Sequence, residues 1–359
     1  KVKIMSTKSR NYFLDNYKAL LIILVVTGHF IEPCYSNNLF LTTLKWVIFS
    51  FHMPAFIFIS GYFSKKTISF EKLIQKLVIP YLVYEMLYYL LYVFVIHKDT
   101  GLYLNRPKFS LWYLMALFFW RLATPYIKKI PGSIFIAITA GLLIGFSQLG
   151  NFFSIPRTLF FYPFFLAGYY FQESWFEIVR KKWKFFAGSL VCILLLVFGG
   201  IFAANISLTP WIFYGRYSYE DMGMTPGTGM LVRLGCYGIS FLLVFALCAV
   251  IPKKKHFFSV LGLRTMPVYL FHGLIYSVLK ATPVLKQINT PLETAALLLF
   301  CVLLSFILAS ELPNRFVAWI SSAPVTLPKF PKNLGIPPVL PLAKENLEKE
   351  EAFTSIQYF

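Results

Sequence analysis

Charged residues are scarce in this chain of 359 residues. They form 14% of the sequence, and only 15 residues are Asp or Glu, whereas hydrophobic residues form 58%. Soluble globular domains carry about 25% charged residues. The deficit excludes an ordinary soluble fold and indicates a chain whose surface lies mostly in lipid.

Cysteines are also few, and none of the five belongs to a Cys-x-x-Cys pair. Four of them lie in apolar segments, where cysteine behaves as a small hydrophobe. This pattern excludes a disulfide framework and zinc-type spacing, so we predict no metal site. We expect no cleavable signal peptide either, because the first apolar segment keeps polar residues inside it and is typical of a retained span.

What the chain does have is a series of apolar segments long enough to cross a bilayer, which takes about 17 to 25 residues. We predict an all-α integral membrane protein with about ten transmembrane helices. Their expected positions are 18–36, 41–63, 77–97, 110–127, 134–150, 157–172, 185–203, 229–251, 264–281 and 293–311. The sixth and ninth contain Pro163 and Pro267, which remove backbone hydrogen bonds that neighbouring helices must replace.

Basic residues outnumber acidic ones by 34 to 15, which gives a formal charge of +19. In a soluble chain this excess would suggest nucleic acid, but here the basic residues cluster between apolar segments, and we predict no nucleic-acid partner. Counted in alternate connections, 18 Lys and Arg residues fall on one side of the ten spans and 8 on the other. The positive-inside rule then places both termini in the cytoplasm.

The sequence divides into two regions. Residues 1–320 form the predicted membrane domain, and residues 321–359 form a Pro-rich and then charged cytoplasmic tail with the composition of a disordered segment. Because no soluble catalytic domain is recognisable, we expect the chemistry to occur among the spans. The connection 204–229 is rich in Tyr, Trp, Gly and Pro, which suits stacking on sugar rings and an interfacial belt equally.

A polar stripe runs along the first span. His29 follows Lys18 by eleven positions, so on an α-helix both side chains project from one face, roughly 16 Å apart along the axis. Asp15 and Glu32 lie three residues outside them, near the same face. Lipid cannot solvate such a stripe, so it must face protein or a water-filled cavity. A buried His is often only structural, and the alternative role of Lys18 is an ordinary positive-inside anchor. Together, however, the two residues fit a general base and a phosphate ligand.

Other polar residues occur inside the spans. Tyr81 and Glu85 lie one helical turn apart in the third span, and an intramembrane glutamate is expected to be functional or paired. Arg157 and Arg233 are its expected partners, and a purely structural ion pair is a serious alternative. Ser60, before Gly61, fits a close helix approach better than a nucleophile, because no Gly-x-Ser-x-Gly elbow is present.

Taken together, these residues resemble the membrane-bound acyltransferase 3 family, and most of all its fucose 4-O-acetylase-related branch. The similarity covers residues 10–315. The matching pieces are Tyr12-Phe-Leu-Asp15-Asn-Tyr-Lys18 with Gly28-His29, Phe51-His-Met-Pro-Ala-Phe-Ile-Phe-Ile-Ser60-Gly61, Ile79-Pro-Tyr81, Leu111-Trp112-Tyr113, Arg157-Thr-Leu-Phe-Phe-Tyr-Pro and Tyr269-Leu-Phe-His272.

The resemblance implies a bacterial cell-membrane enzyme that moves an acyl group, usually acetyl from cytoplasmic acetyl-CoA, to an extracytoplasmic or lipid-linked glycan. The family's first-span motif is a basic residue, ten residues and then His, which Lys18 and His29 match, although Arg is the commoner basic residue. Lys72 and Lys76 stand where relatives often have Arg-x-x-Arg, with a different spacing. The esterase-like domain that many relatives carry is not recognisable, which implies direct transfer to the acceptor or to a separate protein.

Site roles follow from the stripe and the resemblance together. The expected catalytic residues are His29, as base or covalent acyl carrier, with Glu32 or Glu85 on its other ring nitrogen. Four residues are expected to hold the CoA: Lys18, Lys72, Lys76 and Ser60. Five are expected on the acceptor side: Tyr81, Trp112, Arg157, Arg233 and His272.

Two other readings stay open. A transporter or flippase would line a permeation path with midplane charges, and it predicts inverted repeats, which the sequence does not show clearly. An accessory scaffold would make Lys18 and His29 dispensable. Within the enzyme reading, succinyl-CoA could replace acetyl-CoA as donor, and the oligomeric state is open.

Overall fold

The regular structure of this protein is helical. The computed structural model describes residues 11–189 and 209–325, and no strand occurs within them. The all-α prediction is therefore confirmed for this part of the chain. The N-terminal ten residues, most of the expected span 185–203 and the tail after residue 325 lie outside the described residues, so the orientation of the termini stays a prediction.

The helices follow the expected order along the chain. Their bounds are α1, Tyr12–Phe30; α2, Leu39–Phe63; α3, Phe70–Val95; α4, Trp112–Ile127; α5, Ser133–Leu143; α6, Ile155–Tyr170; α7, Glu173–Lys181; α8, 183–189 within the described residues; α9, Pro226–Val250; α10, Ser259–Leu263; α11, Thr265–Ala281; α12, Pro291–Leu308; and α13, Glu311–Ile320. Short 3-10 turns cover Ile144–Phe146 and Pro210–Phe213.

Five of these helices are long and apolar enough to cross a membrane: α1, α2, α3, α9 and α12. Three more expected spans are helices of 16 or 17 residues, α4, α6 and α11. The expected span 134–150 is shorter than predicted, since α5 and its 3-10 turn end at Phe146. The protein is thus a helical membrane protein, and the count of ten spans stays a prediction.

Helix α3 begins seven residues earlier than predicted. Ser69 caps it by accepting a hydrogen bond from the backbone N–H of Lys72, and Glu71 lies in the first turn, where a negative charge favours the helix dipole. Lys72 and Lys76 are therefore helical residues, whereas the sequence placed them in a connecting loop.

Helix α1 lies at the centre of the bundle. It packs against α2, α10, α11 and α12, and 78% of its most apolar 18-residue window is buried inside the protein. By contrast, only 33% of the corresponding window of α12 is buried. The helix with the polar stripe is thus surrounded by protein, as the cost of exposing such a stripe to lipid requires.

Helices α2 and α6 cross at two glycines. A Cβ atom at Gly61 would lie 2.0 Å from the carbonyl oxygen of Phe165, and one at Gly168 would lie 1.8 Å from that of Phe58. These distances show that the two backbones touch. Small residues permit such contact in membrane bundles, where association depends on close packing. The predicted close approach at Gly61 is confirmed.

We expect Gly168→Ala to destabilise the protein by about 1–3 kcal/mol, because the added methyl group must push α6 away from α2. Thermal unfolding of the purified protein in detergent measures the effect.

The matched control is Gly235→Ala in α9, where an added Cβ meets nothing within 4 Å. Alanine is the better helix former by about 1 kcal/mol, so this variant should be as stable as the wild type or more so. An unchanged midpoint for Gly168→Ala would contradict the close crossing.

Candidate active site

A cavity of about 300 Å³ lies beside His29. Its wall is formed by α1, α2, α4, α6 and α11 together with the segment 209–225, which folds over it. The polar residues that line it are His29, Glu32, His52, Ser110, Asn151, Arg157, Arg216 and Lys280, and its aromatic wall includes Phe109, Trp112, Tyr113, Tyr214, Tyr217 and Tyr276. This mixture of aromatic walls with a few polar groups is typical of a small-molecule site.

A second, smaller cavity of about 30 Å³, called the passage below, adjoins this one on the side of the N-terminal end of α1. Lys18, Ser60 and Arg121 line it, and it shares three aromatic side chains with the larger cavity: Phe56, Tyr113 and Tyr269. Lys18 and His29 therefore line two adjoining cavities, on the face of α1 that the eleven-residue spacing predicted.

A hydrogen bond between two side chains lies where the two cavities adjoin. The hydroxyl groups of Ser60 and Tyr113 are hydrogen-bonded at 2.6 Å, which joins α2 to α4 between the two cavities. Ser60 also donates to the carbonyl of Phe56. One turn further, Arg121 donates from Nε to the hydroxyl of Ser64 at 3.1 Å, so the guanidinium is held at the mouth of the passage.

Lys18 is 5% exposed, which is unusual for a lysine at a helix end. Its ammonium lies 3.7 Å from Asp15 and 5.0 Å from the centre of the Phe63 ring. Lys72 and Lys76 do not line the passage. Lys76 is nevertheless near enough to Lys72 and to Arg121, which lines the passage, for their like charges to repel.

His29 lies among aromatic rings. Its ring centre is 4.5 Å from that of Phe109, 5.4 Å from that of His272 and 6.0 Å from that of Tyr276. His272 bonds through Nδ1 to the carbonyl of Val268 at 2.9 Å, so Nδ1 carries the proton, and Nε2 has no hydrogen-bond partner among the described residues. His272 thus packs beside the candidate catalytic histidine but does not line the cavity, and its expected contact with the acceptor stays a prediction.

Neither predicted carboxylate is bonded to His29. Glu85, fully buried, accepts from the backbone N–H of Lys108 at 2.5 Å and faces the ammonium of Lys108 at 3.4 Å. The expectation that Arg157 or Arg233 pairs with Glu85 is wrong, because the loop before α4 folds inward and supplies its own cation. The structural ion pair, which the sequence left open, is the arrangement found.

The Glu85 contact fixes Phe109, the next residue after Lys108. Phe109 has φ = 49°, a left-handed conformation that costs a non-glycine residue about 1–2 kcal/mol. Its ring reaches His29 because Gly273 leaves room, since a Cβ there would lie 2.4 Å from the Phe109 ring. Strained residues of this kind cluster at functional sites. Glu85 therefore positions a wall of the cavity instead of contacting the imidazole.

Glu32 lies in the cavity wall, paired with the ammonium of Lys45. Tyr214 donates its hydroxyl to the same carboxylate at 2.8 Å and stacks on Phe49 with ring centres 4.9 Å apart. Burial raises the pKa of the Tyr214 phenol, which stays protonated and able to donate. Glu32 thus holds the segment 209–225 over the cavity.

Two of the predicted acceptor-side residues lie together in the cavity. The guanidinium of Arg157 is 5.0 Å above the ring of Trp112, and its Nη1 donates to Asn151 Oδ1 at 3.0 Å. Trp112 in turn stacks on Phe161. Planar stacking of this kind holds an arginine without neutralising it.

Tyr81 and Arg233 do not line the cavity. Tyr81 donates to the carbonyl of Leu104 at 2.7 Å. Arg233 donates to the carbonyls of Gly141 and Tyr217 at 2.9 and 3.0 Å, which ties the segment 209–225 to α5 and α9. Direct contact of either residue with the acceptor stays a prediction, without support from the lining of this cavity.

Some residues of the site were missed by sequence reasoning. They are Lys45, His52, Lys108, Phe109, Arg121, Tyr214 and Arg216. Arg121 and His52 had a readable signal, because each is a polar side chain inside an apolar segment. Lys45 is also such a residue, since it lies inside α2 and inside the predicted span 41–63. The others lie in loops, where spacing alone does not show which of them face inward.

One comparison with known proteins gives a match. Residues 11–310 match the acyltransferase domain model of the acyltransferase 3 family, which includes every helix that surrounds the two cavities. No curated protein and no solved structure matches the chain. The match covers well over half of the sequence, and the protein belongs to the acyltransferase 3 family of membrane acyltransferases.

Proposed function

We propose that this protein is a membrane O-acyltransferase that moves an acetyl group from cytoplasmic acetyl-CoA to a hydroxyl group of an extracytoplasmic or lipid-linked glycan. The observation that carries the proposal is the pair of adjoining cavities, one lined by Lys18 and Arg121 and the other by His29. Family membership supports acyl transfer. The proposal includes the identity of the donor and of the acceptor. It also includes membership of the fucose 4-O-acetylase-related branch and location in a bacterial cell membrane.

The donor enters at the Lys18 end. Lys18 and Arg121, with Lys76 behind them, present positive charge to the CoA phosphates. The pantetheine arm then extends past Ser60 and displaces the Tyr113 hydroxyl from it. The path along α1 is roughly 16 Å long, so the thioester arrives near His29 while the nucleotide stays at the mouth. Lys72, which is exposed, adds only long-range attraction.

The acceptor enters from the opposite end, between Trp112, Arg157 and the segment 209–225. His29 removes the proton of the attacking hydroxyl, the oxygen bonds to the thioester carbonyl, and the C–S bond breaks with return of the proton to the CoA sulfur. In the covalent alternative, His29 attacks first and carries the acetyl group to the hydroxyl. Holding both substrates in one cavity replaces transport of acetyl-CoA across the membrane.

His272 takes the place that the sequence assigned to Glu32 or Glu85. Its Nδ1 proton is held by Val268, so Nε2 is an acceptor that faces no other partner among the described residues. When His29 carries a second proton during the reaction, His272 can accept a hydrogen bond from it. We expect His272 to act as a positioning residue for His29.

We expect His29→Ala to lose acetyl transfer by roughly 100-fold or more, the usual contribution of a general base. Release of CoA from acetyl-CoA and from succinyl-CoA by purified protein in nanodiscs is the measurement, and it also identifies the preferred acyl group. A burst of CoA release without acceptor, with labelled acetyl retained on the protein, would support the covalent route.

His256→Ala is the matched control, because His256 is an exposed histidine outside both cavities. Transfer by a folded His29→Ala protein at the rate of this control would refute the mechanism.

Lys18→Ala should raise the KM for acetyl-CoA about tenfold with little change in kcat, since a phosphate contact is made equally in the ground and transition states. With acetyl-pantetheine, which lacks the nucleotide phosphates, the variant and the wild type should have the same KM. Lys129→Ala removes an exposed cation outside the passage and serves as the control. An equal rise of the KM for both donors would show that Lys18 stabilises the fold instead of binding the CoA phosphates.

His272→Leu should lower kcat about tenfold and leave the KM for acetyl-CoA unchanged, because His272 contacts His29 and not the donor path. His272→Gln retains an acceptor in the side chain and should recover part of kcat. Equal kcat values for the Leu and Gln variants would show that His272 only fills space.

A further inference from the structure

We propose that the acceptor is an anionic glycan, with a carboxylate or phosphate group near the hydroxyl that receives the acyl group. The inference rests on the proposed function and adds a substrate class to it. It comes from the charge balance of the cavity beside His29.

Positive charge in this cavity exceeds negative charge. Arg157, Arg216 and Lys280 line it, whereas Glu32 is the one carboxylate among the described lining residues. The charge of Glu32 is already met by Lys45. The three cations thus face the cavity without a compensating carboxylate from the part of the chain that the structure describes.

Acidic residues are nearby in the chain but are directed elsewhere. The segment that carries Arg216 also contains Glu220 and Asp221. Glu220 accepts a hydrogen bond from Gln148, and Asp221 accepts one from the backbone N–H of Ser218 at 3.0 Å. Neither lines the cavity. The segment therefore delivers a guanidinium to the cavity and keeps its own carboxylates outside.

The cations are held in place by aromatic rings. Arg157 lies over Trp112, Arg216 lies 5.4 Å from the centre of the Tyr217 ring, and Lys280 lies 5.6 Å from that of Tyr276. Ring contacts fix a cation while leaving its N–H groups available. A guanidinium held flat presents paired donors that match the oxygens of a carboxylate or a phosphate.

Holding these cations together is unfavourable without a ligand. Arg216 is near enough to Arg157 for their like charges to repel, and the cavity walls are largely apolar. Repulsion is stronger in such surroundings than in water, and an anion that enters gains from both charges at once. A neutral sugar would stack on the same rings but would leave the repulsion in place.

The test compares sugars that differ in one anionic group. Methyl β-glucuronide, glucose 1-phosphate and methyl β-glucoside are added to the purified protein in nanodiscs, and two quantities are measured: the thermal midpoint and acetyl transfer from labelled acetyl-CoA. We expect one or both anionic sugars to raise the midpoint and to have a kcat/KM at least tenfold that of the glucoside. The uronide and phosphate arms tell which anion is recognised.

Two variants assign the preference to the cavity. Arg157→Gln and Arg216→Gln should each bring the ratio of anionic to neutral response towards one, whereas Arg106→Gln, an exposed cation outside the cavity, should not. Equal responses to all three sugars, including no response to any, overturn the proposal. Release of CoA from acetyl-CoA without acceptor tests the proposed acyltransferase function separately. Failure of that function can therefore be told apart from failure of the anionic-acceptor proposal.

Discussion

Every charge that enters the apolar body of this protein needs a partner inside the protein, and most of the architecture around the cavities meets that requirement. Leaving one member of a buried pair alone costs several kcal/mol. Glu85 is therefore bonded to Lys108, and Glu32 to Lys45 and Tyr214. The contacts of Glu85 with Lys108 and of Glu32 with Lys45 each join a helix to a loop, and the contact of Glu32 with Tyr214 joins two loops. The pairing of charges therefore also determines how the loops close over the bundle.

The polar residues around the cavity therefore fall into two groups: those bound to other parts of the protein, which hold the cavity walls in place, and those directed into the cavity. Glu85 keeps Phe109 in a strained conformation against His29, and Arg233 joins the segment 209–225 to α5 through the carbonyls of Tyr217 and Gly141. Both side chains are bound to other parts of the protein. The groups left to face the cavity are His29, Arg157 and the residues around them. A rigid frame with unsaturated groups at its centre is the arrangement that preorganised sites require.

Helix positions could be predicted from the sequence because each depends on local composition. The bounds of α2, α6 and α9 lie within three residues of the expected ones, and helical periodicity alone placed Lys18 and His29 on one face. Pairing could not be predicted. The partner of Glu85 lies in a loop 23 residues away, and a spacing of that length carries no geometric information. The left-handed backbone conformation of Phe109 could not be predicted, because phenylalanine has no preference for it. The different positions of Arg157, in the cavity, and Arg233, outside it, could not be predicted from residue type either.

The hydrogen bond between Ser60 and Tyr113 has a consequence for the cell's energy balance. A path that joins both faces of an energised membrane would let protons run down their gradient if water filled it. The passage has room for only about two water molecules. Where it adjoins the larger cavity, Tyr113 and Ser60 are hydrogen-bonded and Ser60 donates to the carbonyl of Phe56, so these hydroxyl groups are engaged with the protein instead of with water. In the proposed reaction, a pantetheine arm that separated them would itself fill the space, and water would still be kept out.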